Sequence, residues 1–297
     1  MSRSLPVFDR VEAKHSQQFP TSMSRFSQRF PTAFVTGGSS GLGRVLVEGL
    51  LSEGVEVWAG SRSVERVKQT GLPVHPVALD LSDRQGVEDF LRAPTWSRCP
   101  ALLINNAGFG QFGTIGSIEP DELSKQVIAM QESAMILSRH FLIQPGEPAP
   151  AVVNVSSLAV EFPIPYLHAY NSVKGGLSGF SRSLAMEFPG GKDRSFVVDL
   201  RPGDFRTGFN DAVDLDSKNS DLDPVWDALE HHLKNGAVPE SIWPPVRRAL
   251  LRERSRTVRV GTFFQAKLAP VLSRFFPETW VDKVHRSYYD LGKVGRG

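Results

Sequence analysis

The sequence predicts an α/β domain in which a parallel sheet is covered by helices on both faces. Three observations predict it. Short apolar segments recur as strands along the chain: "AFVT" (33–36), "VEVWAG" (55–60), "VHPVALD" (74–80), "ALLIN" (101–105), "AVVNV" (151–155), "FVVDL" (196–200) and a closing "TVRV" (257–260). Segments with helical spacing separate them, and this alternation builds parallel sheets. Thr36-Gly37, Ser61-Arg62, Asp80, Asn105-Asn106, Ser156-Ser157 and Pro202-Gly203 each fall just past the C-terminal end of a strand. In an open parallel sheet those ends line the ligand crevice, so the six positions converge on one site in one domain.

Composition narrows the class. The chain has 297 residues, 40% hydrophobic and 22% charged, enough for a sizeable core. A net charge of +2 is too small to argue for a nucleic-acid partner. The single cysteine, Cys99, excludes an internal disulfide and fits a reducing, cytoplasmic setting. No apolar run approaches the ~18 residues of a membrane span, and the N-terminus lacks the apolar core of a secretory signal.

Taken in order, residues 1–30 lack periodicity, are rich in Ser, Gln and Arg, and read as a flexible arm. Met23, shortly before the first strand, offers a second possible start. "TGGSSGLG" (36–43) then joins strand and helix. Glycines allow a close backbone approach, and a helix N-terminus favours phosphate, so the loop reads as a nucleotide cradle. The helix that follows carries Leu42, Val45, Leu46 and Leu50 at helical spacing and stops at Gly54. At the end of the second strand an acidic residue would hold a ribose 2′-hydroxyl. Ser61 and Arg62 stand there instead, and a guanidinium suits a 2′-phosphate, which favours NADP(H) over NAD(H). In "AYNSVKGGLSGF" (169–180) Tyr170 and Lys174 are four apart, on one face of a helix.

"TGGSSGLG", "NNAG" (105–108), "NVSS" (154–157), "YNSVK" (170–174) and "RPGDFRT" (201–207) occur in that order. Together they resemble the short-chain dehydrogenase/reductase family, in its single-domain branch with the TGxxxGxG and YxxxK motifs. The resemblance runs from about Phe34 to Thr207 and more weakly to Val260. It implies a Rossmann-like, doubly wound sheet of seven parallel strands over residues 31–297, and usually a homodimer or homotetramer. It also implies site residues. Gly37, Ser39, Ser40, Gly41 and Gly43 would line the pyrophosphate, with Leu42 under the nicotinamide. Asp80 and Leu81 would meet the adenine, and Asn106, Ala107 and Gly108 would stabilise the sheet beside the cofactor. Pro202 and Gly203 would turn the chain so that Phe205 and Thr207 hold the carboxamide. Ser157, thirteen residues before Tyr170, matches the catalytic serine better than Ser156 does.

The chemistry implied is hydride transfer between nicotinamide and a carbonyl or secondary alcohol of a small, apolar molecule. Ser157 would bond the substrate oxygen and Tyr170 would deliver or remove the proton. An ammonium at Lys174 would lower the phenol from its usual pKa near ~10. Lys174 would also reach the ribose.

The pattern departs in one place. The family's usual helix asparagine, counted back from Leu137-Ser138-Arg139, is Met130 here. Val127, Met130, Ala134, Leu137 and Phe141 share a helical face, so Met130 reads as core packing, unless a local bulge shifts the register by one. The departure motivates an alternative function, a non-catalytic or weakly active NADP(H)-binding sensor or scaffold. Sugar-nucleotide epimerases and dehydratases differ in glycine spacing.

The remaining features read more plainly. His231-His232 is a solvated pair with no metal-ligand partner, and the arginines of 247–260 are a solvated helix face. Residues 204–240 occupy the place of a substrate lid. Within a C-terminal helical segment, 262–291, Phe264, Leu268, Val271, Leu272 and Phe275 follow helical spacing. They read as an apolar wall packed on the fold or a neighbouring subunit, ahead of a pocket border or a membrane-surface contact.

Overall fold

The computed structural model describes residues 24–93, 95–96, 99–144, 146–209, 213–215 and 220–294. Nine strands are described: β1 (Thr32–Thr36), β2 (Glu56–Ser61), β3 (His75–Ala78), β4 (Leu102–Asn105), β5 (Gly110–Phe112), β6 (Ala151–Val155), β7 (Phe196–Pro202), β8 (Val213–Leu215) and β9 (Arg256–Val260). Seven form one sheet in the order β3-β2-β1-β4-β6-β7-β9, and every pairing in it is parallel. Each predicted strand is present, with ends shifted by one or two residues. The order reverses between β1 and β4, and the crevice of a doubly wound sheet opens at that point. The small parallel pair β5–β8, at the carboxyl ends, was not expected, since strands of only three residues carry no alternation to read.

The helices are α1 (Arg25–Arg29), α2 (Gly41–Ser52), α3 (Val64–Lys68), α4 (Arg84–Arg92), α5 (Pro120–Val127), α6 (Ser133–Ile143), α7 (His168–Glu187), α8 (Asp223–Lys234), α9 (Trp243–Leu250), α10 (Ala269–Leu272) and α11 (Glu278–Tyr288). Alternation along β1 sends Ala33 and Val35 to one face and Phe34 to the other, and a separate core lies on each side. The first core takes Leu46 and Leu50 from α2 and Val246 and Leu250 from α9. The second takes Val87 from α4 and Leu137 and Phe141 from α6. A third cluster, containing Met130, Tyr170, Val213, Leu229 and Tyr289, sits over the strand ends.

The flexible arm expected over 1–30 ends sooner than the sequence suggests; residues 1–23 lie outside the described residues. Phe26 of α1 and the following Phe30 are fully buried in the first core, where Phe26 meets Trp243 edge-on. Arg29, 8% exposed, donates to Glu253 at 2.9 Å and to the Ala149 carbonyl at 2.8 Å. Two aromatic anchors within five residues are too sparse for a periodic signal, so the helix could not be read from spacing. Two other expectations are revised. His232 is not free in solvent: it stacks on Tyr288, with ring centroids 3.7 Å apart. The arginines of 247–260 are divided between α9 and β9, and Arg247 and Arg259 pair with Glu53 and Glu161.

Candidate active site

Every residue singled out from the sequence for catalysis or cofactor binding lines one cavity of about 1610 Å³ at the carboxyl ends of the strands. Ordinary ligand pockets span roughly 300–1,000 Å³, so this one has room for two molecules side by side.

The glycine loop sits under its floor. A Cβ on Gly43 would lie 2.1 Å from the Gly37 carbonyl oxygen, and one on Gly37 would lie 2.9 Å from the Ala107 Cα. Gly37 and Gly41 both have positive φ, +65° and +52°. These positions admit no side chain, and the backbone lies bare at the N-terminus of α2, as a pyrophosphate requires. Across the switch point, Thr36 Oγ1 accepts hydrogen bonds from the Asn106 and Ala107 amides at 3.0 and 3.1 Å. Asn106 Nδ2 donates to the Thr36 carbonyl at 3.0 Å. Thr207 stands close over Gly41. Phe205 is 2% exposed and packs into the first core, which leaves mainly its backbone to face a ligand. Asp80 accepts from the Ser82 amide and hydroxyl at 2.9 and 2.7 Å.

Arg62 lies exposed on the cavity wall beyond β2, and Arg66 of α3 joins it there. Sequence reasoning missed Arg66. No local signal marked it: Arg62 precedes α3, so a spacing of four does not place the two on one helical face.

The two serines after β6 take different directions. Ser156 donates to Asp199 at 2.5 Å and is held inward by a buried group in which Asp199 also accepts from Ser178 and Arg201. Ser157 Oγ accepts from the Ala159 amide at 3.0 Å and lines the cavity together with the Tyr170 phenol. On α7, Lys174 Nζ lies 5.6 Å from the Tyr170 ring centroid and donates to the Val155 carbonyl at 2.8 Å. Both side chains are nearly sealed from solvent, at 9% and 4% exposure. Burial lowers the Lys174 ammonium to about 8. The Tyr170 phenol is raised above its ordinary value, mainly by burial; the nearby Ser157 hydroxyl opposes this and the Asp204 carboxylate adds to it. The expected lowering by Lys174 is therefore not what governs Tyr170 here. The ammonium faces the Val155 carbonyl, and burial weighs on both groups.

Met130 falls in a π-helical turn, Ile128–Glu132, between α5 and α6. The side chain is buried, but it also borders the cavity. Its sulfur accepts the Phe109 amide at 3.3 Å, and a Cβ on Gly108 would meet that sulfur and Lys174 Nζ at 3.6 and 3.5 Å. Val127, expected on the same face, is 43% exposed, because the wider turn shifts the register of α5 against that of α6.

The far wall comes from residues the sequence did not mark as site residues. Asp204 is held by Gln265 and accepts from the Tyr288 hydroxyl at 3.2 Å. Phe209 meets the Tyr170 ring edge-on at 5.5 Å. Tyr289 is buried among Tyr288, His232 and His285. Phe264 and Leu272, expected to pack on the fold, are 53% and 40% exposed, as are Leu268, Val271 and Phe275 at 40%, 52% and 79%.

A nucleotide-sized cradle without side chains, joined to a buried serine–tyrosine–lysine cluster, defines an oxidoreductase site. The chain belongs to the short-chain dehydrogenase family, whose model matches residues 31–218. It is 27% identical over 274 residues to a 3-ketodihydrosphingosine reductase of Bacteroides thetaiotaomicron, covering 86% of this chain and 97% of that protein. It is 30% identical over 214 residues to a short chain dehydrogenase of Pseudocercospora fijiensis, covering 67% and 68%. Among solved structures, a short-chain dehydrogenase from Streptomyces avermitilis superposes with a TM-score of 0.72 at 22% identity, over 90% of this chain and 98% of its own. An alcohol dehydrogenase from Thermococcus sibiricus, complexed with 5-hydroxy-NADP, gives 0.62 at 22% identity, over 78% and 97%. A 4-hydroxyisoleucine dehydrogenase complexed with NADH gives 0.62 at 20% identity, over 77% and 96%.

Proposed function

We propose that this chain is an NADP(H)-dependent carbonyl reductase, or a secondary-alcohol dehydrogenase in reverse, acting on an apolar small molecule. The observation that carries the reading is the convergence of Ser157, Tyr170 and Lys174 on the same cavity as the bare glycine loop. The residues fit a dinucleotide: Gly37 and Gly43 leave the space it needs, and Arg62 and Arg66 offer guanidinium forks for a 2′-phosphate. When bound, the reduced nicotinamide supplies the hydride to the carbonyl carbon.

The chain's own residues handle the oxygen and the proton. Ser157 donates a hydrogen bond to the substrate oxygen as negative charge gathers on it. Tyr170 delivers its proton to that oxygen, and in the reverse direction takes it back. A phenol raised by burial stays protonated at neutral pH, which suits reduction. Lys174 keeps a positive charge behind the phenol as that proton leaves. Phe209 and Tyr289 shield the site from water. Asp204, Gln265 and Tyr288 set the polar edge of the substrate pocket. A homo-oligomeric assembly is part of the proposal, by likeness to the family.

The test is oxidation of NADPH by the full chain with a panel of ketones and aldehydes, each repeated with NADH. Turnover with NADPH ahead of NADH is expected. A second reading, a cofactor-binding protein without turnover, draws on Met130, whose thioether offers neither charge nor donor beside Lys174. NADPH binding with no turnover of any carbonyl would select that reading.

A further inference from the structure

The wall of the cavity opposite the glycine loop belongs to the C-terminal segment, and this segment is only half attached to the protein. None of the residues of α11 is buried. Trp280, Val281, Val284, His285 and Tyr288 form one stripe along it, by their spacing of three and four. All five line the cavity, yet Trp280 and Val284 are 61% and 68% exposed. One edge of the stripe walls the site, then, and the other faces outward. The preceding segment adds Phe263, Phe264, Phe275 and Phe276, exposed by 77%, 53%, 79% and 50%. Five large aromatic side chains exposed within 18 residues (263–280) form the kind of patch that marks an interaction site.

Charge identifies the occupant. Lys267, Arg274, Lys283 and Arg286 are exposed in the same segment and outnumber Glu278 and Asp282. Among the described residues none of these four cations is in an ion pair. Aromatic rings with unneutralised cations match the interface of an anionic bilayer, where rings enter the acyl boundary and cations meet headgroups. A second copy of the chain, docked two-fold on the same face, would bring these cations against themselves. Phe276 and Trp280 belong to both the cavity lining and the exposed patch, so the cavity mouth opens where the bilayer would lie.

We propose that residues 262–289 seat the protein on an anionic membrane surface, and that the substrate is a single-chain amphiphile, a long-chain ketone or its alcohol, entering between Phe276 and Trp280. The substrate part of this inference rests on the carbonyl reductase reading above. The chain's hydrocarbon would lie along Phe276, Trp280 and Val284, with the carbonyl at Ser157 and Tyr170. His285 Nε2 is buried and has no hydrogen-bond partner among the described residues, so a second polar group near the carbonyl has a place to bond.

The test uses the full chain and vesicles of phosphatidylglycerol or of phosphatidylcholine, followed by co-sedimentation. Binding to phosphatidylglycerol ahead of phosphatidylcholine is expected. The double variant Phe263→Ser with Phe275→Ser should lose about tenfold or more in affinity, and Lys267→Gln and Lys283→Gln about fivefold each. None of these four residues lines the cavity, so reduction of a short, water-soluble ketone should stay unchanged. Thermal melting should match wild type. A series of 2-alkanones supplied in aqueous solution should show kcat/KM rising about fourfold per added methylene. Equal affinity for both lipids, or no affinity, overturns the membrane part. A flat chain-length series with the short ketone still reduced overturns the substrate class. A wild-type dimer that the double serine variant converts to monomers, seen by light scattering, makes the face a subunit contact and overturns the proposal. If no carbonyl of any length is reduced, the reductase reading fails, and the vesicle measurements still decide the membrane part.

Discussion

On the glycine-loop side of the cavity the polar side chains at the central strand ends are committed to neighbours. Thr36 is joined to Asn106 by two bonds of 3.0 Å, and Ser156 to Asp199 by one of 2.5 Å, each pair bridging neighbouring strands. On the C-terminal side the wall is aromatic, half exposed, and tied to the first side mainly through Asp204. A dinucleotide presents the same phosphates and ribose wherever it binds, so the backbone that meets it can be rigid and prewired. A substrate differs from enzyme to enzyme, and here the wall that meets it rests on few contacts. The contrast separates the part of the protein that fixes the reaction class from the part that fixes the molecule.

Experiments can break or sharpen that contrast. Tyr170→Phe removes the proton donor and keeps the ring packed against Phe209. Turnover should fall by about 10²–10⁴-fold, while NADPH affinity, measured by fluorescence titration, should stay within a few fold. A full loss of cofactor binding would mean that the two sides are not separable.

Lys174→Met should trade activity for stability. Burial lowers Lys174 to about 8 from its ordinary 10.5. Below about pH 8 the folded protein carries a buried ammonium at a cost, roughly 3 kcal/mol for a gap of this size. Between 8 and 10.5 the folded state has shed a proton that the unfolded chain still binds, so wild-type stability rises with pH across that window. Denaturant titrations should find the inactive methionine variant more stable than wild type at pH 7. The difference should shrink toward pH 10. A variant less stable at pH 7 would show that the bond to Val155 outweighs the desolvation.

Arg62→Ala with Arg66→Ala should weaken NADPH by about tenfold to a hundredfold, as loss of charge-assisted bonds predicts. NADH affinity should stay unchanged, and equal weakening of both would remove the 2′-phosphate from the account. The smallest effect is expected on the far side. Tyr288→Phe deletes the hydroxyl bond to Asp204, worth about 1 kcal/mol. It should raise the KM for substrate severalfold and leave NADPH binding alone.

How much of this was readable in the sequence follows the same division. The central strands were legible because they are buried on both faces and read as mostly apolar runs such as "AVVNV", wholly buried in the structure. The cradle was legible because Gly37 and Gly43 tolerate no side chain, so the backbone geometry dictates the residue. Arg66 was missed because a lone arginine on a short helix looks like surface, and only the fold brings it beside Arg62. Gln265 and Tyr288 are about 60 and 80 residues from Asp204, and no local pattern predicts a contact over that distance. The C-terminal stripe showed its helical spacing. Spacing reports which residues share a face and not what covers it, and within one chain the fold leaves that face exposed. Phe26 and Phe30 were lost among polar neighbours for a related reason: two buried rings make a large anchor and a small signal.

The π turn at Ile128–Glu132 gives the long helix two phases. Counting back from Ser138 in steps of 3.6 is sound as far as Ser133 and then loses its place, which is why Val127 and Met130 looked like neighbours on one face. Deleting a single residue from the turn would wind it into a regular helix. The flanking helices would keep their relative orientation, because a π turn spends about one residue more than an α turn on the same arc. It is the residues of the turn, Met130 among them, that would be presented differently to the Phe109 amide and the space beside Lys174. Helix length here acts as a positional coordinate of the site, one that a residue-by-residue comparison of sequences cannot record.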